Sequence, residues 1–375
     1  MGMSKGRFLG LLIGLLLALG AAEFLGRLKT SSDRHLPRTP NLEVQLYPEQ
    51  AELFGIRGET RHTTSSIGLR GPEPKTTDRL HILCVGGSTT ACEYLDDQET
   101  WPQLLAAQFP ETPTWVGNAG LSGHRAIDHV TLLSKLLDEQ KPLDVVILLA
   151  GINDLAVAAE GRQDTEPKPT SSAQIRRVFH SQPRDFSLWP PAQTGIYAWL
   201  QGLRSGRWEV AALEDPAAGS YAQRRKVRSE HLPPSATLPS LDKALAAFEE
   251  HLTWSCRAAA RRGVRPVILT QPFLWGAEET ICAQRCWFGW SGALPWENPS
   301  AYIPLSEMKQ GMHAFNRRAR LVAAREQALL VDLDHLNGNP DLFYDDCHFN
   351  EAGAKAVAQA VGKALRSSAP DLFRR

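Results

Sequence analysis

Short apolar runs that alternate with helical segments are the feature that most constrains the fold of this chain. Five runs end at glycine or polar residues, as buried strands do: Leu80–Val85, Thr114–Val116, Leu143–Ala150, Val267–Thr270 and Leu329–Leu333. Within the third run, Val145–Leu149 is continuously apolar, which is typical of a central parallel strand covered on both faces. The alternation predicts an α/β fold of three α/β/α layers, with a central parallel sheet of about five strands in the flavodoxin-like order 2-1-3-4-5.

The residues before the first strand predict an exported protein. Lys5 and Arg7 precede an uncharged apolar run, Phe8–Ala22, which is the pattern of a signal peptide. Because about twenty apolar residues span a bilayer, the run also fits a marginal single membrane anchor. Residues 1–26 are therefore predicted to be a signal peptide or an N-terminal membrane anchor. Either outcome places the protein in the periplasm or outside the cell, free or anchored.

Two further stretches interrupt the regular pattern. Residues 27–79 contain several prolines and are predicted to form a tether, followed by an edge segment that packs on the main domain, residues 80–375. Residues 155–237 are charged, contain prolines and show no sustained period, so they form a predicted insertion in that domain. An insertion of this length is usually functional or flexible, and the sequence leaves its role open.

Composition excludes some partners. The 41 Lys and Arg residues equal the 41 Asp and Glu residues in number, so no net field attracts nucleic acid, and we predict no nucleic-acid partner. The six cysteines are compatible with disulfides in an exported protein. Cys282 and Cys286 lack a second ligand pair at metal spacing, so we predict no metal site. The sequence carries no signal for an oligomeric state.

Polar residues suited to acyl transfer follow four of the five predicted strands. Ser88 follows the first strand, Gly120 the second and Asn153 the third, and Asp345 and His348 follow the fifth. Carboxyl ends of parallel strands meet at one edge of a sheet. In the order 2-1-3-4-5, Ser88 would lie between Gly120 and Asn153. Acyl transfer needs such a nucleophile flanked by donors, here the Ser88 N–H, the Gly120 N–H and the Asn153 amide.

A serine nucleophile also needs a base. His348 is the predicted base, since its ordinary pKa lies near 6.5. An acid three residues earlier would hold the other ring nitrogen in the right tautomer. Asp345 has that spacing, and Asp346 is the competing acid. The predicted catalytic residues are therefore Ser88, His348 and Asp345.

The chain resembles the SGNH (GDSL-type) hydrolases, in their GGSTT branch. The resemblance rests on four blocks and a weaker lead-in: Gly86–Thr90, Asn118–Gly123, Gly151–Asp154, Asp345–His348 and Gly68–Glu73. It covers residues 67–154 and 241–365. One departure is Gly87, which stands where the family's Gly-Asp-Ser-Leu form has aspartate. The resemblance implies a serine hydrolase that acts on ester bonds without a cofactor.

We therefore predict an exported serine esterase acting on small-molecule, lipid or glycan esters, with carbohydrate O-acetyl groups as a candidate substrate. Two alternatives stay open: an O-acyltransferase of the same fold, and a non-catalytic carbohydrate-binding or envelope scaffold. The aromatic loop Trp275–Trp296 would stack on sugars or acyl chains in one interpretation, and would cover the sheet in the other. Packing is slightly favoured, because aromatic side chains are often buried.

Other chemistry-bearing residues receive structural interpretations. His124 and His129 are rival bases, but they lie on a helix with an apolar stripe, so surface positions are expected. Asn350 is expected to cap the last helix. Cys92 and Cys347 would both flank the site, so a disulfide between them is a hypothesis. Cys84 is expected to be a buried strand residue.

Overall fold

The computed structural model describes residues 35–48, 51–140, 142–161, 169, 171–179, 221–292, 299 and 301–373. The predicted signal peptide or anchor lies outside these ranges, as does most of the predicted insertion. From Leu36 onward, the described residues belong to one compact unit. Within the described ranges, no helix combines the length and the apolar character needed to cross a membrane.

Five of the strands form the central parallel sheet, in the order β4-β3-β5-β6-β9. The described strands are β1 (Glu43–Leu46), β2 (Thr60–Thr63), β3 (Leu80–Gly86), β4 (Thr114–Asn118), β5 (Val145–Leu149), β6 (Arg265–Leu269), β7 (Trp290–Ser291), β8 (Ala301–Tyr302) and β9 (Leu329–Val331). Every residue of β3 and β5 is buried, because helices cover both faces of the sheet. The observed order confirms the predicted 2-1-3-4-5 arrangement.

Helices form the two outer layers. The described α-helices are α1 (Ser88–Ala91), α2 (Trp101–Ala106), α3 (Ala126–Glu139), α4 (Ile152–Ala159), α5 (Ser172–Val178), α6 (Tyr221–Glu230), α7 (Asp242–Ala260), α8 (Glu279–Arg285), α9 (Leu305–Arg325) and α10 (Glu351–Ser368). Short 3₁₀ helices occupy Asp97–Glu99, Asp334–Leu336, Pro340–Leu342 and Pro370–Phe373. Helix α7 packs against α3 and α9, and α2 packs against α10. Helices α5 and α6 fall within residues 155–237, where the sequence pattern indicated no regular elements.

The register of the sheet brings the strand ends together. Cys84 of β3 pairs with Asn118 of β4, and Gly86 pairs with Leu149 of β5. The loops that follow these three strands therefore leave the sheet at one edge. This edge is where the sequence predicts the nucleophile and its flanking donors.

The segment before β3 lies beside this edge. Strands β1 and β2 pair antiparallel, and Arg70 forms an isolated antiparallel bridge with Asn118 at the end of β4. The Arg70 N–H donates to the Asn118 carbonyl at 2.9 Å, and the Asn118 N–H donates back at 3.3 Å. The segment thus reaches the start of the loop that follows β4.

Candidate active site

The turn after β3 has no space for side chains at its two glycines. A Cβ atom at Gly86 would lie 2.8 Å from the Leu149 carbonyl oxygen, and one at Gly87 would overlap Asn153 Nδ2. Glycine thus lets the chain turn tightly while the Asn153 amide approaches it. Helix α1 begins directly afterwards, and its first residue is Ser88, which is half-buried.

Three predicted side chains form one hydrogen-bonded series. Ser88 Oγ lies 2.7 Å from His348 Nε2, and His348 Nδ1 lies 2.7 Å from Asp345 Oδ2. The His348 side chain is 11 % exposed and the Asp345 side chain is fully buried. Residues 260 positions apart in the chain thus meet at the edge of the sheet where β3 and β9 end.

Asp345 is held by further donors. Its Oδ1 accepts the backbone N–H groups of Cys347 at 3.0 Å and His348 at 2.8 Å. Its Oδ2 also accepts the Trp287 indole N–H at 3.2 Å. These contacts fix the orientation of the carboxylate, so Oδ2 faces the imidazole.

The pair of ionisable groups shifts both pKa values. Burial raises the pKa of Asp345, but the charge of His348 and the hydrogen bonds from His348 and the Cys347 N–H outweigh burial and hold it below its ordinary value. Burial likewise lowers the pKa of His348, but the charge and hydrogen bond of Asp345 outweigh it and raise the pKa above 6.5. The arrangement favours a carboxylate that stabilises an imidazolium.

Asp346, the competing acid, faces a different set of partners. Its Oδ1 accepts the Trp275 indole N–H at 2.6 Å, and its Oδ2 accepts the backbone N–H groups of Trp287 at 2.7 Å and Phe288 at 3.2 Å. Burial and the neighbouring charge of Asp345 raise the pKa of Asp346 to about 6. This carboxylate fastens the aromatic loop rather than the imidazole.

The aromatic loop packs beneath the site. Trp275, Trp287, Phe288 and Trp290 are all at least nine-tenths buried, in line with the favoured packing interpretation, and Trp296 lies outside the described residues. The Tyr344 ring stacks on the His348 imidazole, with centroids 5.4 Å apart and planes 7° apart. The hydrogen bonds hold the two ring nitrogens of His348, and the stacked Tyr344 ring restricts motion of the imidazole perpendicular to its plane.

Two of the three predicted oxyanion donors are open. Among described residues, the Ser88 N–H has no acceptor, as expected in the first turn of a helix. Asn153 Nδ2 donates to the His124 carbonyl at 2.9 Å, and the amide carries a second N–H. The Gly120 N–H, in contrast, donates to Asn118 Oδ1 at 2.9 Å. The expectation that Gly120 supplies a free donor is thus contradicted, because the Asn118 side chain folds back onto the backbone two residues on.

Gly123 is a candidate backbone donor that the sequence did not single out. It lies in the same loop, is exposed, and has φ +75°, a conformation that favours glycine. Its N–H has no acceptor among the described residues. The carbonyl of the next residue, His124, accepts the Asn153 amide, so the loop that contains Gly123 contacts Asn153. The signal was present: an asparagine two residues before Gly120 predicts a local turn that uses the Gly120 N–H.

A sequence model of the GDSL-like lipase/acylhydrolase family matches residues 84–356. The chain belongs to this family. It is a hydrolase that acts on ester bonds, as the family resemblance implied.

Solved structures of other hydrolases are similar to this GDSL-like hydrolase. TesA is 17 % identical, over 76 % of this chain and 98 % of its own, with a TM-score of 0.41. An acetylxylan esterase from Geobacillus stearothermophilus is 16 % identical, over 78 % and 96 %, with a TM-score of 0.42. At these TM-scores the family assignment rests on the sequence match. Among curated proteins, no significant sequence match was found.

Two expectations about histidines in this GDSL-like hydrolase are wrong. His124 and His129 are not on the surface but are 8 % and 1 % exposed. Burial lowers the pKa of His124 to about 4 and that of His129 to about 3. The physical reason is that neighbouring helices cover this region: α3, which carries His129, packs against both α7 and α5. Neutral buried imidazoles here are part of the core.

The thiols of the GDSL-like hydrolase are all unpaired. The six cysteines are free and buried, so the hypothesis of a Cys92–Cys347 disulfide is contradicted and the expected burial of Cys84 is observed. The two sulfur atoms face different partners: Cys92 Sγ donates to the Thr89 carbonyl at 3.5 Å, whereas Cys347 Sγ lies 3.8 Å from His348 Nδ1.

The remaining predictions concern a helix cap and a metal. Asn350 caps α10 as expected, since its Oδ1 accepts the Gly353 N–H at 3.0 Å. Among described residues, Asp345, Cys347 and His348 have potential ligand atoms within 4.8 Å of one another. The carboxylate and imidazole atoms are 2.7 Å apart and share a hydrogen bond.

Proposed function

We propose that the protein hydrolyses esters through Ser88, His348 and Asp345. The observation that carries this proposal is the continuous series of two 2.7 Å hydrogen bonds from Ser88 Oγ through the imidazole to Asp345. Neutral His348 takes the hydroxyl proton while Ser88 Oγ bonds to the carbonyl carbon. The resulting imidazolium gives that proton to the leaving alcohol. Asp345 keeps the Nδ1–H tautomer and stabilises the imidazolium.

The second half of the reaction uses the same groups. Water loses a proton to His348 as it attacks the acyl-serine, and the proton returns to Ser88 Oγ when the carboxylic acid leaves. In both tetrahedral intermediates, the donors for the oxyanion are the Ser88 N–H, the Asn153 amide and the Gly123 N–H, with Gly123 taking the role expected of Gly120. The open N–H groups of these residues support this assignment. No step calls for a cofactor.

Substrate and location are finer parts of the proposal. Carbohydrate O-acetyl esters stay the first class to test, although Trp275, Trp287, Phe288 and Trp290 of the aromatic loop are buried and offer no exposed surface for a sugar ring. The acetylxylan esterase similarity concerns that protein alone. Export rests on the sequence of residues 1–26, and is tested by N-terminal sequencing of the mature protein from fractionated cells.

The test compares the full-length wild type with Ser88→Ala and a matched serine variant, Ser229→Ala, whose exposed hydroxyl lies on α6. Turnover is measured with p-nitrophenyl esters of increasing acyl length and with acetylated xylan. We expect Ser88→Ala to lose at least about 1,000-fold in kcat and Ser229→Ala to match wild type. Ester turnover that persists in Ser88→Ala contradicts the proposal. Turnover that rises with added alcohol, with a new ester as product, identifies a transferase instead.

A further inference from the structure

Two buried arginines from the segment before β3 lie beneath the candidate site. Arg38 is 9 % exposed and Arg70 is 1 % exposed. Both lie outside the family-matched residues 84–356; Arg70 belongs to the weaker lead-in Gly68–Glu73, and neither arginine is one of the predicted site residues. Neither guanidinium hydrogen-bonds Ser88, His348 or Asp345 in the described part of the chain. Their contacts instead concern the backbone that carries the site.

Arg70 holds the end of the nucleophile helix. Its Nη1 donates to the carbonyls of Ala91 and Cys92, each at 2.7 Å, and its Nη2 donates to the Leu95 carbonyl at 2.5 Å. Helix α1 has only four residues, so its last carbonyls have no partners within the helix. The guanidinium supplies those partners, and Asp97 Oδ1, 2.9 Å from Nε, balances its charge.

Arg38 holds the loop that carries the proposed donor. Its Nη2 donates to the Gly120 carbonyl, and its Nη1 lies 3.4 Å from the Asn118 carbonyl. The two arginines are also linked through Asn118, because the Arg70 backbone pairs with it in both directions. One segment thus contacts the helix that begins with Ser88 and the loop that leads to Gly123.

Burying two guanidinium groups is costly, and such groups are often replaceable by apolar residues without loss of stability. Burial lowers the pKa of Arg38 to about 10, which leaves it charged at neutral pH. Five carbonyl contacts from two fixed, planar cations specify the positions of those carbonyls more closely than apolar packing can. The two arginines therefore supply fixed positions for these carbonyls rather than additional stability.

We infer that Arg38 and Arg70 are positioning residues, which hold helix α1 and the loop Asn118–Gly123 in register so that their N–H groups address the same oxyanion. The inference rests on the proposed function. Because a misplacement of about 1 Å can cost about 100-fold in rate, loss of either guanidinium lowers kcat. It leaves KM nearly unchanged, since both side chains are at least nine-tenths buried and offer no surface for a substrate.

The test uses Arg38→Ala, Arg38→Lys and Arg70→Lys in the full chain, with Arg61→Ala as the matched control. Arg61 lies on β2 of the same segment, and its side chain pairs with Glu43 on the surface. We expect kcat for p-nitrophenyl acetate to fall about 10- to 100-fold in the Arg38→Ala and Arg70→Lys variants, with KM within about twofold of wild type. Arg38→Lys keeps the charge and a hydrogen-bond donor group but not the planar fork, so its loss is smaller than that of Arg38→Ala. Arg61→Ala matches wild type.

Chemical rescue separates positioning from a general loss of structure. Added guanidinium ion, at millimolar concentrations that leave wild type unchanged, should restore part of kcat in Arg38→Ala but not in Ser88→Ala. Thermal melts fix a temperature at which every variant is folded. Variants with wild-type kcat and lower melting temperatures overturn the inference while leaving the esterase intact. A folded wild type without turnover overturns the proposed function itself, and the inference with it.

Discussion

Isosteric substitutions of the adjacent carboxylates Asp345 and Asp346 can separate two proposed roles, orienting the imidazole and holding the aromatic loop. Both are fully buried, yet Asp345 faces the imidazole and Asp346 faces the aromatic loop. Changing each to asparagine removes one charge and no volume. We expect Asp345→Asn to abolish most of the activity and Asp346→Asn to affect mainly stability.

The size of the first effect follows from the donors around Asp345. An amide NH₂ cannot accept, and the two backbone N–H groups at 3.0 and 2.8 Å from Oδ1 cannot change their protonation. Because Oδ1 faces two such donors and Oδ2 only one, the Trp287 indole N–H at 3.2 Å, the amide oxygen stays at Oδ1 and the NH₂ faces His348 Nδ1. The imidazole must then carry its proton on Nε2, where it cannot accept from Ser88. Such a tautomer change costs about 10,000-fold in kcat, or about 5.4 kcal/mol.

Asp346→Asn has a different expected outcome. Its three donors bind both carboxylate oxygens, so an amide NH₂ leaves at least one buried donor without an acceptor. That costs about 1–3 kcal/mol of folding stability. Because no donor from His348 is involved, kcat should stay within about tenfold of wild type.

The assay is steady-state turnover of p-nitrophenyl acetate at pH 8, beside chemical denaturation of each variant. A loss in Asp346→Asn equal to that in Asp345→Asn, at equal stability, would refute the assignment of the two acids. A loss of less than about 100-fold in Asp345→Asn would refute the tautomer argument.

Three further predictions follow from the same geometry. Asn153→Ala should lower kcat about 100- to 1,000-fold. Gly87→Ala should lower kcat by nearly as much, because its methyl group displaces the Asn153 amide. The double variant should therefore lose no more activity than Asn153→Ala alone. The acid limb of kcat/KM should have its midpoint above pH 6.5, since activity needs neutral His348 and Asp345 raises the pKa of that imidazole. Titration of the denatured, unreduced protein with a thiol reagent should find six thiols.

Each of these predictions has a clear contrary result. Additive losses in the Gly87 and Asn153 double variant would mean that the glycine acts by another route. In the pH profile, Asp345→Asn should move the midpoint of the remaining activity to lower pH, because burial without the carboxylate lowers the pKa of His348. An unchanged midpoint would mean that Asp345 does not set the pKa of His348. Four or fewer thiols would indicate a disulfide in the mature protein.

The sequence predicted the parts of the site that depend on topology. Ser88, Asn153 and His348 each follow a strand, and the carboxyl ends of parallel strands meet at one edge, so the order of the sheet alone brings them together. Asp345 needed only its spacing of three residues from the histidine. The serine and the histidine are 260 positions apart, yet topology makes their meeting predictable.

Other features depend on individual side-chain contacts, which the periodic spacing of apolar residues does not reveal. The Gly120 N–H is taken by Asn118, two residues away, in a local turn. His129 is buried because α3 packs against α7 and against α5, and the sequence pattern of residues 155–237 gave no sign of α5. Arg38 reaches a loop about 80 positions along the chain, and such a contact leaves no periodic trace.

The central claim is that Ser88 is the nucleophile, and covalent labelling tests it most directly. Full-length protein is treated with a fluorophosphonate, and the adduct is located by peptide mass mapping in wild type, His348→Ala and Ser122→Ala, the last removing an exposed hydroxyl in the adjacent donor loop. We predict one adduct per chain, on Ser88, retained in Ser122→Ala and formed at least about 100-fold more slowly in His348→Ala. An adduct on another residue, or no adduct in folded wild type, would contradict the account.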